Sequence, residues 1–136
     1  MTLRLYDTKS RGLKEVASHN GATSMYCCGP TVYRDAHVGN LRTFLLADLI
    51  SRALTLSGVT VSLVQNITDV GHMSEDFQED DKILTQASIE KIDPYEIARK
   101  YEGNFHKDLA RLNIGKAKAY PKASESIEMM QSMITE

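Results

Sequence analysis

Apolar and polar residues alternate in two short stretches near the N-terminus. Leu3–Tyr6 and Leu13–Val16 flank the turn-forming residues Ser-Arg-Gly at 10–12. This pattern predicts a small antiparallel hairpin. A third apolar run, Ser24–Cys28, stops at Gly29–Pro30 and predicts a buried strand that enters a turn.

The longest helical pattern comes next. We expect Asn40 to be its N-cap and Gly58 to terminate it. The following stretch, Val59–Ile67, alternates as a strand does. Strand, helix and strand in this order predict one βαβ unit with parallel pairing and a right-handed crossover. The apolar positions at helical spacing are Leu41, Phe44, Leu45, Leu49, Ala53, Leu54 and Leu56.

The second half of the chain continues the α/β pattern. Gly71–Asp81 reads as a solvated acidic loop, because no metal-ligand spacing emerges from it, and a helix follows to about Lys91. Asp93 and Pro94 form an N-cap and first turn for another helix. Its predicted apolar side carries Ala98, Tyr101, Phe105, Leu109 and Leu112. The remaining predictions are a strand at Lys116–Tyr120 and a last helix bearing Ile127, Met130 and Ile134.

Composition excludes several classes of protein. The net charge of −2 over 136 residues gives no large basic face for nucleic acid. No apolar run approaches the ~18 residues that cross a bilayer, and the N-terminus lacks a secretory signal pattern. Cys27 and Cys28 are adjacent and the only cysteines, so we expect no disulfide framework and a cytoplasmic location.

The segment Cys28–Asn40 carries the clearest chemistry. It joins a strand to a helix, and its glycines let backbone approach a ligand closely. The helix N-terminus behind it is expected to offer unpaired N–H groups and a positive dipole end to phosphate. The segment contains neither a Walker A loop nor a GxGxxG fingerprint.

This segment resembles a known signature. His37-Val38-Gly39-Asn40 is similar to the HIGH motif of class I aminoacyl-tRNA synthetases. The longer string, from Cys28-Gly29-Pro30-Thr31-Val32-Tyr33 to Arg42-Thr43, resembles the cysteinyl-tRNA synthetase family in particular. Further segments that resemble this family are Gln65–Val70, Asp80–Ile83 and Tyr120–Glu125.

The resemblance implies a fold and a set of site residues. The implied fold is a class I synthetase Rossmann-like (HUP-type) parallel sheet with flanking helices. Residues 1–136 would form one partial nucleotide-binding domain, the first half only, with a small N-terminal hairpin. His37 and Asn40 would be catalytic. The implied ATP contacts are Pro30, Thr31, His37, Gly39 and Asn40. The implied contacts to cysteine or its adenylate are Cys28, Gly29, Thr31, Thr43, Asn66 and Thr68.

The resemblance also implies cofactors and partners. Cys28 would be one ligand of a zinc ion that binds the substrate thiolate. Zinc suits this task because it prefers a thiolate to a hydroxyl as a ligand. The family's other zinc ligands, its Lys-Met-Ser-Lys-Ser loop and its tRNA-binding regions are expected beyond this sequence. ATP with Mg²⁺, L-cysteine and tRNA-Cys are the implied substrates.

Two alternatives stay open. One is the related ligase that joins cysteine to an amino sugar in mycothiol synthesis. That ligase shares the pattern of Cys28, His37, Asn66 and Thr68, but not the Gly-Pro-Thr-Val-Tyr string. The other is a non-catalytic remnant that binds nucleotide or cysteine, with a partner polypeptide covering its incomplete sheet.

Overall fold

A two-stranded hairpin begins the fold. The computed structural model describes residues 3–70 and 82–135. Strand β1 (Arg4–Asp7) pairs antiparallel with β2 (Gly12–Glu15). The Asp7 carboxylate accepts hydrogen bonds from the backbone N–H and hydroxyl of Ser10, which closes the turn. The predicted hairpin is confirmed.

A βαβ unit forms the centre of the molecule. Strand β3 (Ala22–Cys27) leads through a loop to helix α1 (Val38–Leu56), and β4 (Thr60–Gln65) pairs parallel with β3. Gly58 ends the helix in the left-handed region at φ +83°, which glycine adopts without steric cost. Both the parallel pairing and this terminator agree with the sequence prediction.

The N-terminus of α1 differs from the prediction. Asn40 is the third residue of the helix, and the N-cap is His37, whose backbone is extended. Assigning the N-cap to Asn40 was therefore wrong. The helix begins three residues earlier because the His37 ring accepts N–H bonds, a task that asparagine or serine performs more often.

A third line of backbone runs beside β4. The segment 118–123 exchanges four hydrogen bonds with residues 63–67, including Gln65 N–H to the Ala119 carbonyl at 3.1 Å. It forms isolated parallel bridges at Ala119 and Lys122 instead of a continuous strand. Pro121, which has no N–H, lies between these bridges. The strand predicted at Lys116–Tyr120 is thus wrong in extent, although this part of the chain does lie at the sheet edge.

Helices from both halves of the chain share one core. Helix α2 (Lys82–Glu90) precedes α3 (Pro94–Arg111), which Asp93 caps by accepting the Tyr95 N–H at 2.8 Å. Phe105 of α3 meets Phe44 of α1 edge-on, with ring centroids 5.2 Å apart. The buried residues of the main core are Cys27, Val32, Phe44, Ala47, Ile67, Ala98, Phe105, Leu109 and Ile114.

Helix α3 and the last helix of the chain were both predicted from the sequence. Leu112, predicted on the apolar side of α3, is 45% exposed because it is the C-cap, where the helix ends. The predicted last helix is confirmed as α4 (Ile127–Thr135), which follows a short 3-10 turn at Ser124–Ser126.

The predicted acidic loop Gly71–Asp81 lies outside the described residues. Across residues 3–70 and 82–135, no helix is long and apolar enough to span a membrane.

Candidate functional site

The loop after β3 contains one residue more than the strand beside it. Four residue steps separate Cys27 from Thr31, whereas three separate their paired residues Gln65 and Thr68. Pairing resumes beyond the loop, where the Thr68 N–H donates to the Pro30 carbonyl at 3.0 Å. The extra residue is therefore a bulge, a device that redirects side chains near functional sites.

The Asn66 side chain lies opposite this bulge. Its Oδ1 accepts the Gly29 N–H and the Tyr26 O–H, each at 2.8 Å. Its Nδ2 donates to the Thr68 hydroxyl at 3.2 Å. One amide thus connects β3, the loop and the end of β4.

Gly29 is required by close approach of two backbones. A Cβ at this position would lie 1.6 Å from the Asn66 carbonyl oxygen and 2.7 Å from its carbonyl carbon. Both atoms belong to the backbone and cannot rotate away. Only glycine lets the loop pass here.

The adjacent cysteines have different environments. Cys27 is buried in the core, and burial together with the neighbouring Cys28 raises the pKa of its thiol. Cys28 is exposed on the bulge. Cys28 is therefore the cysteine that can meet a ligand, whereas Cys27 fills the core as expected.

His37 and Asn40 cap each other at the start of α1. The His37 Nδ1 accepts the N–H groups of Gly39 at 3.1 Å and Asn40 at 3.3 Å. In return the Asn40 Oδ1 accepts the His37 N–H at 3.2 Å. Because an accepting Nδ1 carries no proton, the ring proton lies on Nε2. The expected unpaired N–H groups are thus partly wrong, since two of them are satisfied by His37.

The same capping interaction determines which donors remain. The Nε2 of His37 and the Nδ2 of Asn40 have no hydrogen-bond partner among the residues described here, and both are N–H donors. They lie at the positive end of the helix dipole. This end of α1 therefore presents side-chain donors, rather than bare backbone N–H groups, to an anion.

A cavity of about 150 Å³ lies beside this helix end. Two cations flank one aromatic ring on its wall. The Arg34 guanidinium carbon is 5.1 Å and the Lys82 Nζ is 5.9 Å from the centroid of Tyr33. The lining residues are Pro30, Thr31, Tyr33, Arg34, Asp35, Ala36, Asn40 and Lys82.

Apart from Thr43, the sequence-derived site residues divide into three groups around these features. Pro30, Thr31 and Asn40 line the cavity. Thr43 is exposed on α1 and does not line the cavity beside the helix end. The residues at the bulge are Cys28, Gly29, Asn66 and Thr68. The residues at the helix end beside the cavity are His37 and Gly39.

Sequence reasoning missed six residues of this region, and Asp35 and Ala36 of the cavity wall are among them. Tyr33, Arg34 and Lys82 belong to the cavity wall, and Tyr26 belongs to the bulge. The alternation along β3 already places Tyr26 on the face opposite buried Cys27, which was a usable signal.

Within residues 3–70 and 82–135, no group of three or more His, Cys, Asp or Glu side chains is arranged to hold a metal ion. A zinc site takes three or four protein ligands. The described residues supply only the Cys28 thiol toward one and do not by themselves fit the metal.

Comparison with known proteins decides the family. The model of the tRNA synthetases class I (C) catalytic domain matches residues 14–136. The chain belongs to this family. Cysteine–tRNA ligases from Chlorobium chlorochromatii and Deinococcus radiodurans are each 40% identical to it over 98% of its length. The enzyme of the same name from Borrelia hermsii is 41% identical over the same share.

The chain spans a little over a quarter of the length of these relatives, from 27% to 29%. The class I synthetase fold expected from the HIGH-like string is confirmed by the family match and by the parallel β3–β4 pair. The bulge after β3 and the capped start of α1 lie within the matched residues, at the carboxyl ends of parallel strands where α/β folds bind ligands.

Proposed function

We propose that the chain is the first part of the catalytic domain of a cysteine–tRNA ligase, a single partial nucleotide-binding unit over residues 1–136. The whole enzyme would act in the cytoplasm on ATP, L-cysteine and tRNA-Cys. The observation that carries this proposal is the joining of the Cys28 bulge and the His37–Asn40 helix end by one short loop. The names of the relatives support the choice of amino acid.

The proposed reaction has two steps. A cysteine carboxylate oxygen attacks the α-phosphorus of ATP, the bond to the β-phosphate oxygen breaks, and pyrophosphate leaves. A ribose hydroxyl at the tRNA 3′ end then attacks the adenylate carbonyl, loses its proton, and AMP leaves. Both steps depend on orientation and on stabilisation of negative charge, not on a protein nucleophile.

The ATP side of the proposal uses the capped helix end. The His37 Nε2–H and Asn40 Nδ2–H have no partner within residues 3–70 and 82–135 and lie beside the positive end of α1, and Arg34 and Lys82 add two cations. Such groups stabilise charge that develops on a phosphate. Pro30, Thr31 and Gly39 would contact the nucleotide.

The cysteine side of the proposal uses the bulge. Cys28 is exposed there, and Thr31 and Thr68 form a parallel bridge at the ends of the two strands. The Thr68 hydroxyl accepts from Asn66 and keeps its own proton to donate. We assign Gly29 and Asn66 to shaping this pocket, and Thr43 to its outer margin.

Zinc enters this proposal only as a group that Cys28 would help to hold together with ligands outside the described residues. Bound zinc would supply preference for a thiolate over a hydroxyl. No step above depends on it.

Cysteine-dependent ATP–pyrophosphate exchange tests the proposal. The whole enzyme, with this chain as its first part, should exchange labelled pyrophosphate into ATP with cysteine and not with serine. His37→Asn, which keeps a capping side chain, should abolish exchange without unfolding the chain. Exchange at an equal rate with serine, or unchanged exchange in His37→Asn, would contradict the assigned chemistry.

Binding without catalysis is the second candidate. The observation that favours it is the single thiol at the bulge, with no set of metal ligands around it in the described chain. Isothermal titration separates the two. Saturable binding of ATP or cysteine by a whole protein that lacks exchange activity would support a binding module, and exchange activity would exclude it.

A further inference from the structure

We infer that Tyr26 is a positioning residue of the Cys28 bulge and acts through Asn66. Its O–H and the Gly29 N–H share one acceptor, the Asn66 Oδ1, at 2.8 Å each. The link to cysteine binding rests on the proposed function. The arrangement itself, named the amide clasp (Tyr26, Gly29, Asn66, Thr68), does not.

The orientation of the Asn66 amide is fixed by its partners. Oδ1 faces two donors, and Nδ2 faces the Thr68 hydroxyl oxygen at 3.2 Å. Turning the amide over would place its NH₂ group against the Gly29 N–H and the Tyr26 O–H. Donors would then face donors, and a part-buried N–H would lose its only acceptor. The clasp thus uses both acceptor positions of Oδ1 and one of the two Nδ2–H donors.

Packing does not explain Tyr26. Its side chain is 65% exposed and lies on the face of β3 opposite the buried Cys27. Its hydroxyl nevertheless reaches a residue 40 positions away in sequence. Partial loss of water around its hydroxyl, followed by the charges of Cys28 and Cys27, raises the pKa of Tyr26, so the phenol keeps the proton that it donates.

The clasp acts at the point where the strand register changes. Regular β3–β4 pairing stops at Cys27 and Gln65 and resumes at Thr31 and Thr68. Between these pairs, the bond from the Gly29 N–H to the Asn66 side chain links the loop to the residue that follows β4. Tyr26 holds that side chain from the strand side, so it fixes the loop that carries Cys28.

NMR-detected amide exchange tests the clasp directly. Tyr26→Phe should speed exchange of the Gly29 amide roughly three- to tenfold, the effect of one lost hydrogen bond on the geometry of another. Amides within β3 and β4 should stay unchanged. Tyr6→Phe is the matched control, because Tyr6 is 64% exposed and has no hydroxyl partner in the described chain. Its exchange profile should equal that of the wild type.

Two substitutions at Asn66 provide the rescue test. Asn66→Asp keeps an acceptor for both donors, and the Thr68 hydroxyl can donate to it, so Gly29 should remain protected. Asn66→Leu should lose protection to the extent of Tyr26→Phe or beyond. An unchanged Gly29 amide in Tyr26→Phe, or equal losses in Asn66→Asp and Asn66→Leu, would overturn the inference.

The functional consequence has a separate readout. In ATP–pyrophosphate exchange, Tyr26→Phe should raise the KM for cysteine severalfold and leave the KM for ATP unchanged, since the clasp touches the bulge and not the cavity. Equal rises in both KM values would refute this role. If the whole wild-type enzyme has no exchange activity, the proposed function fails while the Gly29 measurement still decides the clasp.

Discussion

Replacing Gly29 by alanine tests the tightest contact in the fold. The new Cβ would lie 1.6 Å from the Asn66 carbonyl oxygen, where real Cβ contacts stay beyond 3.0 Å. Relief therefore needs a relative backbone movement of about 1.4 Å. A shift of that size breaks the 2.8 Å bond from the Gly29 N–H to Asn66 Oδ1.

The expected loss follows from these two effects. Overpacking of a close contact costs about 1–3 kcal/mol, and the broken hydrogen bond adds about 0.5–1.5 kcal/mol. We expect Gly29→Ala to lower the free energy of unfolding by about 2–4 kcal/mol. For a chain of this size the melting temperature should fall by roughly 10 °C.

Urea unfolding followed by circular dichroism measures this change. Gly103→Ala is the matched control, because Gly103 lies inside α3 and a Cβ there would meet nothing within 4 Å. That substitution should stabilise the chain by about 0.5–1 kcal/mol. A Gly29→Ala midpoint equal to that of the wild type, or equal losses in the two variants, would refute the reasoning.

Three further perturbations address other parts of the fold. The hydrogen bond from Lys100 is the largest cause that lowers the pKa of Glu90 from 4.5 to about 2. The Glu90 carboxylate therefore stabilises the fold above pH 4.5. The urea midpoint of the wild type should exceed that of Glu90→Gln there, and this difference should shrink as the pH falls from 4.5 toward 2. His37→Ala removes the helix cap and should cost about 1 kcal/mol in thermal unfolding, whereas His37→Asn should stay within about 0.5 kcal/mol of the wild type. Asp48→Ala leaves the part-buried Gly115 N–H without its 2.9 Å acceptor and should cost about 1–3 kcal/mol in urea, with Asp48→Asn intermediate.

Local patterns predicted the elements whose signals are local. Alternation, helical spacing and Gly58 were enough for the hairpin, the βαβ unit and the end of α1. The cap at His37 was misread because histidine seldom serves as an N-cap, and the rule favours Asn40 three positions later. The edge segment at 118–123 depends on pairing with β4, which a window of sequence does not contain.

The candidate site also combines features that local sequence patterns predict with contacts that they do not. The string from Cys28 to Asn40 was enough to indicate the family, which the match over residues 14–136 confirms. The sequence could not reveal that the Asn66 amide oxygen accepts hydrogen bonds from Gly29 and Tyr26, since these bonds span 37 and 40 positions. The cavity wall of Tyr33 and Lys82 is likewise formed by residues distant in the chain.

The neighbouring thiols of Cys27 and Cys28 should react with a labelling reagent at different rates. Cys28 is open to a maleimide in the native state, whereas Cys27 is reached only when β3 leaves the sheet. Pulsed labelling with localisation by tandem mass spectrometry would read both from a single peptide. The ratio of the two modification rates then gives the fraction of molecules in which β3 is open, with the exposed thiol correcting for reagent and pH.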